Sequence, residues 1–360
     1  MRLKKANNYT IFTKQLLKWN RFKNKREMPW KFEKNPYKIW LSEIILQQTR
    51  VEQGMSYYLN FIRAYPTIHD LADAEDEAVM KLWEGLGYYS RCRNLLATAR
   101  FISHDKKGNF PNSYEELVKL KGVGPYTAAA IASFAFQLPY AVVDGNVIRV
   151  LSRFFGIDKQ ANTNEGKKIF QQLAQEVLDK KNPGIYNQAI MDFGATVCKP
   201  AQPLCDECVM QNYCSAYQQD MVDALPVKPI KATKKNRQFL FLVYKYGKYM
   251  YIQKRTGKDI WKDLFQFHLL EPSVEIFNQP KKLNAFISAF ALQKPVKLSF
   301  SESYRQQLTH QTIDAVFAFV KIEKPLENGT FIKVKASDIH EYGFPKIIRE
   351  FIAAYSDEFC

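Results

Sequence analysis

The amino-acid sequence predicts two domains, an all-helical domain followed by a smaller α+β domain. Apolar residues recur at steps of three and four before residue 218, which is the helical period, and alternate with polar residues beyond residue 236, which is the period of a strand. Between them, residues 224–235 carry two prolines and four lysines and are typical of a linker. We therefore expect a helical domain at 1–217, a linker at 218–236 and an α+β domain at 237–360.

The individual elements follow from the same two periods. In the front domain, helical spacing predicts helices over 9–19, 39–51, 86–101, 127–136, 147–155, 163–178 and 185–197. In the rear domain, alternation predicts strands over 239–246 and 249–254, joined by a tight turn at Gly247-Lys248, and another strand over 314–322. Helical spacing returns at 281–292 and 345–355.

The composition indicates a folded, basic protein. The 360 residues are 46% hydrophobic and 24% charged, which excludes a largely disordered chain. A formal net charge of +16 indicates a polyanionic partner, of which nucleic acid is the commonest, although a basic surface kept for solubility is the alternative. The longest apolar stretch, 128–136, is far too short to span a membrane, and the N-terminus lacks the apolar core of a signal peptide, so we expect a cytosolic protein.

Four of the six cysteines form one cluster, with the spacing C-x6-C-x2-C-x5-C over Cys198, Cys205, Cys208 and Cys214. Because cytosolic thiols stay reduced, the cluster predicts a metal site, and the spacing leaves zinc and an iron–sulfur cluster both open. Four protein ligands leave no position for a substrate, so the expected role is to hold a loop together. Cys92 is expected in the core or on a helix surface, and Cys360 at a frayed end.

Gly122-Val123-Gly124 lies between two predicted helices, just before Pro125. Glycine permits the backbone angles of a tight turn, and the free amides at the start of the next helix can bind an anion. We expect Gly122 and Gly124 to bind a DNA phosphate, with an ordinary helix–helix turn as the alternative.

Two carboxylates are candidates for catalysis. Asp144 ends the apolar run 141–143 and precedes a predicted helix, where an N-cap is the alternative role and is compatible with catalysis. Glu43 is surrounded by apolar residues, which would raise its pKa toward that of a usable general acid, whereas a capping glutamate on a surface turn is the alternative.

Several independent motifs in one order resemble those of MutY-type adenine DNA glycosylases, in the helix–hairpin–helix (endonuclease III) superfamily. The resemblance covers nearly the whole chain, and includes the Gly122–Gly124 hairpin and the four-cysteine run. Its other motifs are Met28-Pro29-Trp30 and the segments 36–40, 42–51, 83–89, 143–147 and 187–189.

The resemblance implies a helix–hairpin–helix glycosylase domain at 1–217, a 4Fe–4S cluster in the loop 198–214, and a Nudix-like domain at 237–360. It further implies base excision repair, in which adenine mispaired with 8-oxoguanine or guanine in duplex DNA is removed by hydrolysis of the N-glycosidic bond. We expect a monomer in the bacterial cytosol, associated with the nucleoid, with duplex DNA carrying these mispairs as its partner and no membrane partner.

The resemblance also implies a role for each site residue. Glu43 would donate a proton toward N7 of the extruded adenine, and Asp144 would stabilise the cationic sugar or attack it transiently. Tyr126 and Asn146 would orient Asp144 and the sugar. The residues implied to line the adenine pocket are Trp30, Leu46, Gln188 and Met191. Gln48 and Tyr88 would occupy the gap that the extruded base leaves in the DNA helix, although Tyr88 could instead be a core aromatic.

Tyr126 predicts how the reaction ends. The related endonuclease III class places a lysine at this hairpin position, where the amine forms a Schiff base with the sugar and permits strand cleavage. A phenol cannot form a Schiff base, so we expect a monofunctional glycosylase that leaves an abasic site.

The rear domain resembles the Nudix fold in the form found in MutY, through the motif at 255–267. It lacks the glutamate-rich box of a Nudix hydrolase, since Glu350 is followed by the uncharged run 351–354, so we expect no pyrophosphatase activity. The family recognises 8-oxoguanine with a Phe-Ser-His loop, which here reads Leu308-Thr309-His310. We expect this loop to keep that role, with weaker stacking; the alternative for His310 is a plain surface histidine.

Two other classes of function remain open at this point. A non-enzymatic iron–sulfur protein that binds DNA would keep the cysteines and the basic charge but would not need Glu43 and Asp144. A nucleotide hydrolase would act through the rear domain and would need magnesium.

Overall fold

The structure is a computed structural model that describes residues 2–229, 233–327 and 329–359, with side chains from residue 7 onward. The chain folds into two compact units, one comprising residues 1–73 and 93–230 and the other 74–92 and 231–360. Part of the predicted linker (230–232) and Cys360 lie outside the described residues. Among the helices of the described ranges, none combines the length and the hydropathy that a bilayer-spanning segment needs.

The described part of the first unit is helical, as predicted. Its α-helices are α1 (Arg2–Phe22), α2 (Pro36–Leu46), α3 (Val51–Ala64), α4 (Ile68–Ala72), most of α6 (Ser90–Arg100), α7 (Tyr114–Leu117), α8 (Pro125–Phe136), α9 (Gly145–Phe155), α10 (Asn164–Val177), α11 (Pro183–Thr196) and α12 (Ser215–Gln218). A π-helical turn at Phe101–Asp105 follows α6, and a short 3₁₀ helix at Gln211–Tyr213 precedes α12.

Two predicted helix boundaries are wrong. The segment 39–51 is not one helix, because α2 ends at Leu46 and the backbone turns through Gln48, whose φ of +56° is incompatible with a right-handed helix. The segment 86–101 becomes helical only at Ser90, since Gly87 and Tyr88 both have positive φ. In both cases the apolar pattern continues across a turn, so the spacing of apolar residues could not locate the end of α2 or the start of α6.

The core of the first unit forms where α1, α9, α10 and α11 meet. Phe12 and Leu16 of α1 are fully buried in one apolar cluster with Leu151, Phe154 and Phe193, and the rings of Phe12 and Phe154 pack edge to face. These residues come from segments more than 130 positions apart, and burying their side chains stabilises the unit.

A buried amide fixes the extended segment that precedes α9. Asn187 of α11 is 1% exposed, and its Nδ2 donates to Ser133 Oγ at 2.9 Å and to the Tyr140 carbonyl at 2.8 Å. Its Oδ1 accepts from the Val142 amide at 3.2 Å. Because leaving such groups unpaired would be costly, this amide holds the chain in place two residues before Asp144.

The second unit is built on a mixed β-sheet, as the predicted α+β class requires. Its described strands are β1 (Lys235–Tyr246), β2 (Tyr249–Lys254), β3 (Phe265–Gln266), β4 (His268–Leu270), β5 (Lys297–Phe300), β6 (Tyr304–Gln307), β7 (Gln311–Lys321) and β8 (Ile332–Lys335). The central order is β3-β2-β1-β7-β5, with β4 paired to β1, β6 to β7 and β8 to β2. Strands β1 and β7 are parallel and the other pairs are antiparallel.

The predicted hairpin at Gly247 is confirmed. Tyr246 pairs with Tyr249 across the turn, and Gly247 has a φ of +55°. Helices pack against both faces of the sheet: α14 (Pro280–Phe290) covers the cluster around Leu242, and α15 (Lys346–Ala354) places Phe351 in a parallel stack on Phe317, with 3.8 Å between the ring centroids. A short helix, α13 (Val274–Phe277), precedes α14.

The segment 74–92, which contains α5 (Asp76–Leu82), joins the second unit through polar contacts. The Glu84 carboxylate accepts from the Phe344 amide at 2.8 Å, and Lys81 Nζ donates to the Tyr342 carbonyl at 3.1 Å. Glu84 is nearly buried, so its contact with a backbone amide gives this segment a fixed place in the unit.

Candidate active site

The first unit contains a cavity lined by residues of α2 and α11. Of the predicted site residues, Trp30, Glu43 and Gln188 line it, and Lys31, Phe32 and Phe134 are among its other walls. Its wall combines apolar and aromatic side chains with polar ones, including the carboxyl groups of Glu33 and Glu43 and the side-chain amides of Asn20 and Gln188.

Glu43 lies inside α2, not on a surface turn, and is 6% exposed. The pKa of its carboxyl is raised to about 7. Burial is the main cause, because the charged form loses its hydration, and the nearby charge of Asp144 adds to it. A hydrogen bond from Tyr126 opposes this rise. A carboxyl group with this pKa still carries a proton near neutral pH and can act as a general acid.

Asp144 is the N-cap of α9, as its position before the helix predicts. Its Oδ1 accepts from the Val147 amide at 2.7 Å, and its Oδ2 accepts from Asn146 Nδ2 at 2.8 Å. Two donors and the positive end of the helix dipole thus face this carboxylate. The two carboxylates therefore lie in opposite environments, one apolar and one rich in donors, and are close enough to interact.

Tyr126 interacts with both carboxylates. It follows Pro125 in the first turn of α8, and burial, together with the charges of Glu43 and Asp144, holds its pKa well above the usual range of a phenol. Its hydroxyl also lies 3.4 Å from Met191 Sδ, which brings the predicted pocket residue Met191 beside the carboxylates. Leu46 is at the C-terminal end of α2, with its Cδ2 directed at Gly54.

Arg149, which is not among the predicted site residues, is 8% exposed on α9 and contacts Asn146, the partner of Asp144. Its Nη2 donates to Asn146 Oδ1 at 2.8 Å, and its Nε donates to the Cys198 carbonyl at 2.7 Å. Because a guanidinium only donates, Asn146 must turn its carbonyl to Arg149 and its amino group to Asp144. An arginine within the apolar stripe of α9 was the available signal.

Asp192, a fully buried aspartate on α11, is likewise not among the predicted site residues. The Gln188 amino group donates to its Oδ1 at 3.0 Å. Here too the signal was a charge between apolar neighbours, Ile190 and Phe193.

The Gly122-Val123-Gly124 turn precedes α8 and is open at both glycines, which are exposed. Gly122 has a φ of +78°, and a Cβ there would lie 2.8 Å from Asn94 Cβ, so glycine is required. At Gly124, the N-cap of α8, an added Cβ would meet no heavy atom within 4 Å. Gln47 Nε2 donates to Thr127 Oγ1 at 3.1 Å and fixes the turn to the end of α2.

The four clustered cysteines line one cavity of about 330 Å³. Arg153, 3% exposed, fixes their loop: its Nη1 donates to Cys198 Sγ at 3.4 Å and to the Lys199 carbonyl at 2.8 Å. Burial and the neighbouring sulfurs raise the pKa of the Cys208 thiol to about 12. In the described residues no three Cys, His, Asp or Glu side chains are grouped as a site for a single metal ion.

The remaining predicted residues lie on exposed turns. Gln48 is exposed between α2 and α3 in the first unit. In the second unit, Tyr88 is 42% exposed and so is not a core aromatic, and its hydroxyl hydrogen-bonds the hydroxyl of Thr309. Leu308, Thr309 and His310 form the turn between β6 and β7, with Leu308 partly buried and the other two exposed.

Comparison with known proteins gives consistent results. Residues 41–178 match the HhH-GPD superfamily of base excision DNA repair proteins. An adenine DNA glycosylase of Buchnera aphidicola subsp. Baizongia pistaciae is 34% identical over 304 residues, which cover 84% of each chain. A thermostable thymine-DNA glycosylase structure is 29% identical with a TM-score of 0.55, covering 59% of this chain and 98% of its own. A trapped endonuclease III–DNA covalent intermediate has a TM-score of 0.52 at 21% identity, covering 60% and 98% respectively, and supports the fold.

Fold and site together define a DNA N-glycosylase of the base excision repair class, whose helical unit has the endonuclease III fold. Within that class, the extent and identity of the match to the Buchnera protein show that the chain belongs to the adenine DNA glycosylase family.

We expect Glu43→Gln to stabilise the protein at alkaline pH. The pKa of Glu43 is about 7 in the folded protein and about 4.3 in an unfolded chain, so the free energy of unfolding of the wild type falls as the pH rises through this window. Glutamine does not ionise, so the variant should gain about 2–3 kcal/mol over the wild type at pH 8 and almost nothing at pH 4.5. Denaturant unfolding at both pH values measures this.

The exposed Glu52 at the start of α3 provides the matched control. Any stability difference between Glu52→Gln and the wild type should be small at both pH values. An equal effect of Glu43→Gln at pH 4.5 and pH 8 would contradict the raised pKa.

Proposed function

We propose that this protein removes adenine mispaired with 8-oxoguanine or guanine from duplex DNA, by hydrolysing the N-glycosidic bond. The observation that carries the proposal is the pairing of a buried carboxyl, Glu43, whose pKa is about 7, with a carboxylate, Asp144, fixed by two donors. Family membership and the net charge of +16 support duplex DNA as the substrate. Because a base in a duplex is inaccessible, the adenosine must first rotate out of the stack into the cavity beside Glu43.

The chemistry needs two groups of opposite character. As the C1′–N9 bond breaks, its electron pair goes to the base, and Glu43 donates a proton to N7 so that adenine leaves neutral. The sugar becomes an oxocarbenium-like cation, which Asp144 stabilises through its charge or by a transient bond to C1′. Water then adds to C1′ and yields the abasic site. Proton transfer from a positioned acid contributes about 10²–10⁴ in rate.

Tyr126 supports a monofunctional reaction. Its hydroxyl interacts with both carboxylates, and a phenol offers no amine for a Schiff base with the opened sugar. The enzyme therefore leaves the DNA strand intact at the abasic site.

The hairpin before α8 supports binding of the DNA backbone. Both glycines are exposed, and the amides at the start of α8 point away from the helix, which suits a phosphate. Affinity for DNA then falls steeply with salt, since bound phosphates release counterions.

The contact between Tyr88 and Thr309 supports recognition of 8-oxoguanine in the second unit. The two hydroxyls are exposed and hydrogen-bond each other, so the residue proposed to stack in the helix lies beside the turn proposed to read the oxidised base. Each hydroxyl can donate or accept, which suits the extra carbonyl and N–H groups of 8-oxoguanine. Leu308 is partly buried and supports the turn, while His310 is exposed and available to the DNA.

The cysteine cavity supports a 4Fe–4S cluster. All four sulfur-bearing side chains line one cavity, which suits a cluster held by four cysteines. Four thiolates are the donor set of such a cluster, and Arg153 provides a positive charge beside Cys198. Cys198, Cys205, Cys208 and Cys214 would hold it, and it would stabilise the loop, leaving base removal to the carboxylates.

The reaction is tested with duplexes that carry adenine opposite 8-oxoguanine, guanine or thymine. We expect alkali-labile sites at the first two duplexes, and a single-turnover rate at least about 10²-fold lower for Glu43→Gln. The wild-type rate should fall about tenfold per pH unit above pH 7, because the protonated fraction of Glu43 falls in that proportion.

Glu52→Gln should retain the wild-type rate. Adenine release by Glu43→Gln at more than a third of the wild-type rate would overturn the assignment of the acid. A borohydride-trapped adduct in high yield, lost in Tyr126→Phe, would show instead that the enzyme also cleaves strands.

We expect Thr309→Val to reduce the preference for 8-oxoguanine over guanine about three- to tenfold, because valine keeps the shape of the side chain but loses one hydrogen bond. The measurement is the ratio of single-turnover rates for adenine opposite the two bases. Ser303→Ala, at an exposed hydroxyl between β5 and β6, is the control and should leave the ratio unchanged. An unchanged ratio in Thr309→Val would remove Thr309 from recognition.

The purified protein should contain about four iron atoms per chain and absorb visible light through thiolate-to-iron charge transfer. Cys208→Ala should lose this absorption and most of the iron, whereas Cys92→Ala, at a buried cysteine outside the cluster, should keep both. One zinc per chain and no iron would contradict the proposed cofactor.

A further inference from the structure

Asp192 is fully buried and receives three side-chain hydrogen bonds and a further ion pair. Its Oδ1 accepts from Gln188 Nε2 and from Arg26 Nη1, both at 3.0 Å. Its Oδ2 accepts from Asn24 Nδ2 at 2.9 Å and lies 3.1 Å from Lys31 Nζ. Two cations thus lie against the buried carboxylate, and each of these four contacts to it is made by a donor.

This arrangement determines which way round the Gln188 amide lies. An anionic carboxylate only accepts hydrogen bonds, so Gln188 must direct its amino group to Asp192. Gln188 also lines the cavity that contains Glu43 and Trp30. With its amino group held at Asp192, the acceptor that Gln188 can offer to a base in that cavity is its carbonyl oxygen, and one N–H of the amino group is left over.

A carbonyl oxygen distinguishes purines at one position. The 6-amino group of adenine donates a hydrogen bond to it, whereas the 6-oxo group of hypoxanthine or guanine presents a second acceptor and is repelled. A site built to pair with a donor rejects an analogue that lacks it far more strongly than an apolar wall does.

We propose that Asp192 is a positioning residue that sets the base specificity of the site, because it fixes the Gln188 amide so that its carbonyl accepts from a 6-aminopurine and excludes a 6-oxopurine. The proposal rests on the function proposed above. It differs from a purely structural role for Asp192, in which the carboxylate only neutralises Arg26 and Lys31. The two roles predict different outcomes for the choice between bases.

Asp192→Asn separates the two roles, because an asparagine amide can donate to Gln188 and so permits its amide to rotate. We expect the ratio of single-turnover rates on adenine and on hypoxanthine, in otherwise identical duplexes, to fall at least about tenfold. A structural role would lower both rates together and leave the ratio unchanged, which would overturn the proposal. Thermal unfolding of each variant shows whether the protein folds.

A second background tests that Asp192 acts through Gln188. In Gln188→Met, whose side chain has a similar shape but no amide, adding Asp192→Asn should change the ratio less than about twofold. A further fall of tenfold in that background would overturn the proposal, since Asp192 would then act by another route.

If Asp192→Asn does not fold, the double variant Asp192→Asn with Arg26→Gln replaces it, because it removes one cation with the anion. The same fall in the ratio is expected, and an unchanged ratio overturns the proposal. A wild-type enzyme that releases no adenine would overturn the proposed function itself, whereas normal release with an unchanged ratio in the variants would overturn only the role of Asp192.

Discussion

The burial of one carboxyl group beside a second one that accepts two hydrogen bonds is the interaction on which the site depends. Glu43 stays protonated near neutral pH because α2 places it among buried residues, and the charge of Asp144 strengthens the effect. The α9 N-terminus and Asn146 donate hydrogen bonds to Asp144 and fix its carboxylate in place. Two residues of the same chemical class thereby acquire opposite roles from their surroundings alone.

The sequence could predict the local surroundings of Glu43 and of Asp144, but not that the two residues lie close together. The apolar neighbours of Glu43 and the helix that follows Asp144 are local patterns, and both appear in the structure as predicted. That the two carboxylates lie close together depends on α2, α8 and α9 packing, and these helices are up to 100 residues apart. Similarly, alternation predicted the hairpin around Gly247, but the parallel pairing of β1 with β7 involves contacts that no local period encodes.

The errors have a common physical origin. Spacing predicted one helix through Gln48 and another through Tyr88, yet both residues have positive φ and lie on turns. Such conformations are unfavourable for residues other than glycine, and persist where surrounding structure holds them, which often coincides with function. The proposed roles of both side chains in filling the DNA helix agree with their exposure on tight turns.

Buried charged side chains also determine the orientation of two neutral side-chain amides in the site. Arg149 can only donate, so Asn146 turns its carbonyl to the guanidinium and its amino group to Asp144. Asp192 can only accept, so Gln188 turns its amino group to the carboxylate. An amide alone could adopt either orientation at little cost. Reversing one of these amides would place its amino group against a guanidinium or its carbonyl oxygen against a carboxylate, which is unfavourable in a buried site. Charges that do not touch the base can therefore determine which atoms the base meets, and this explains why they occupy apolar helix faces where a sequence pattern would place core residues.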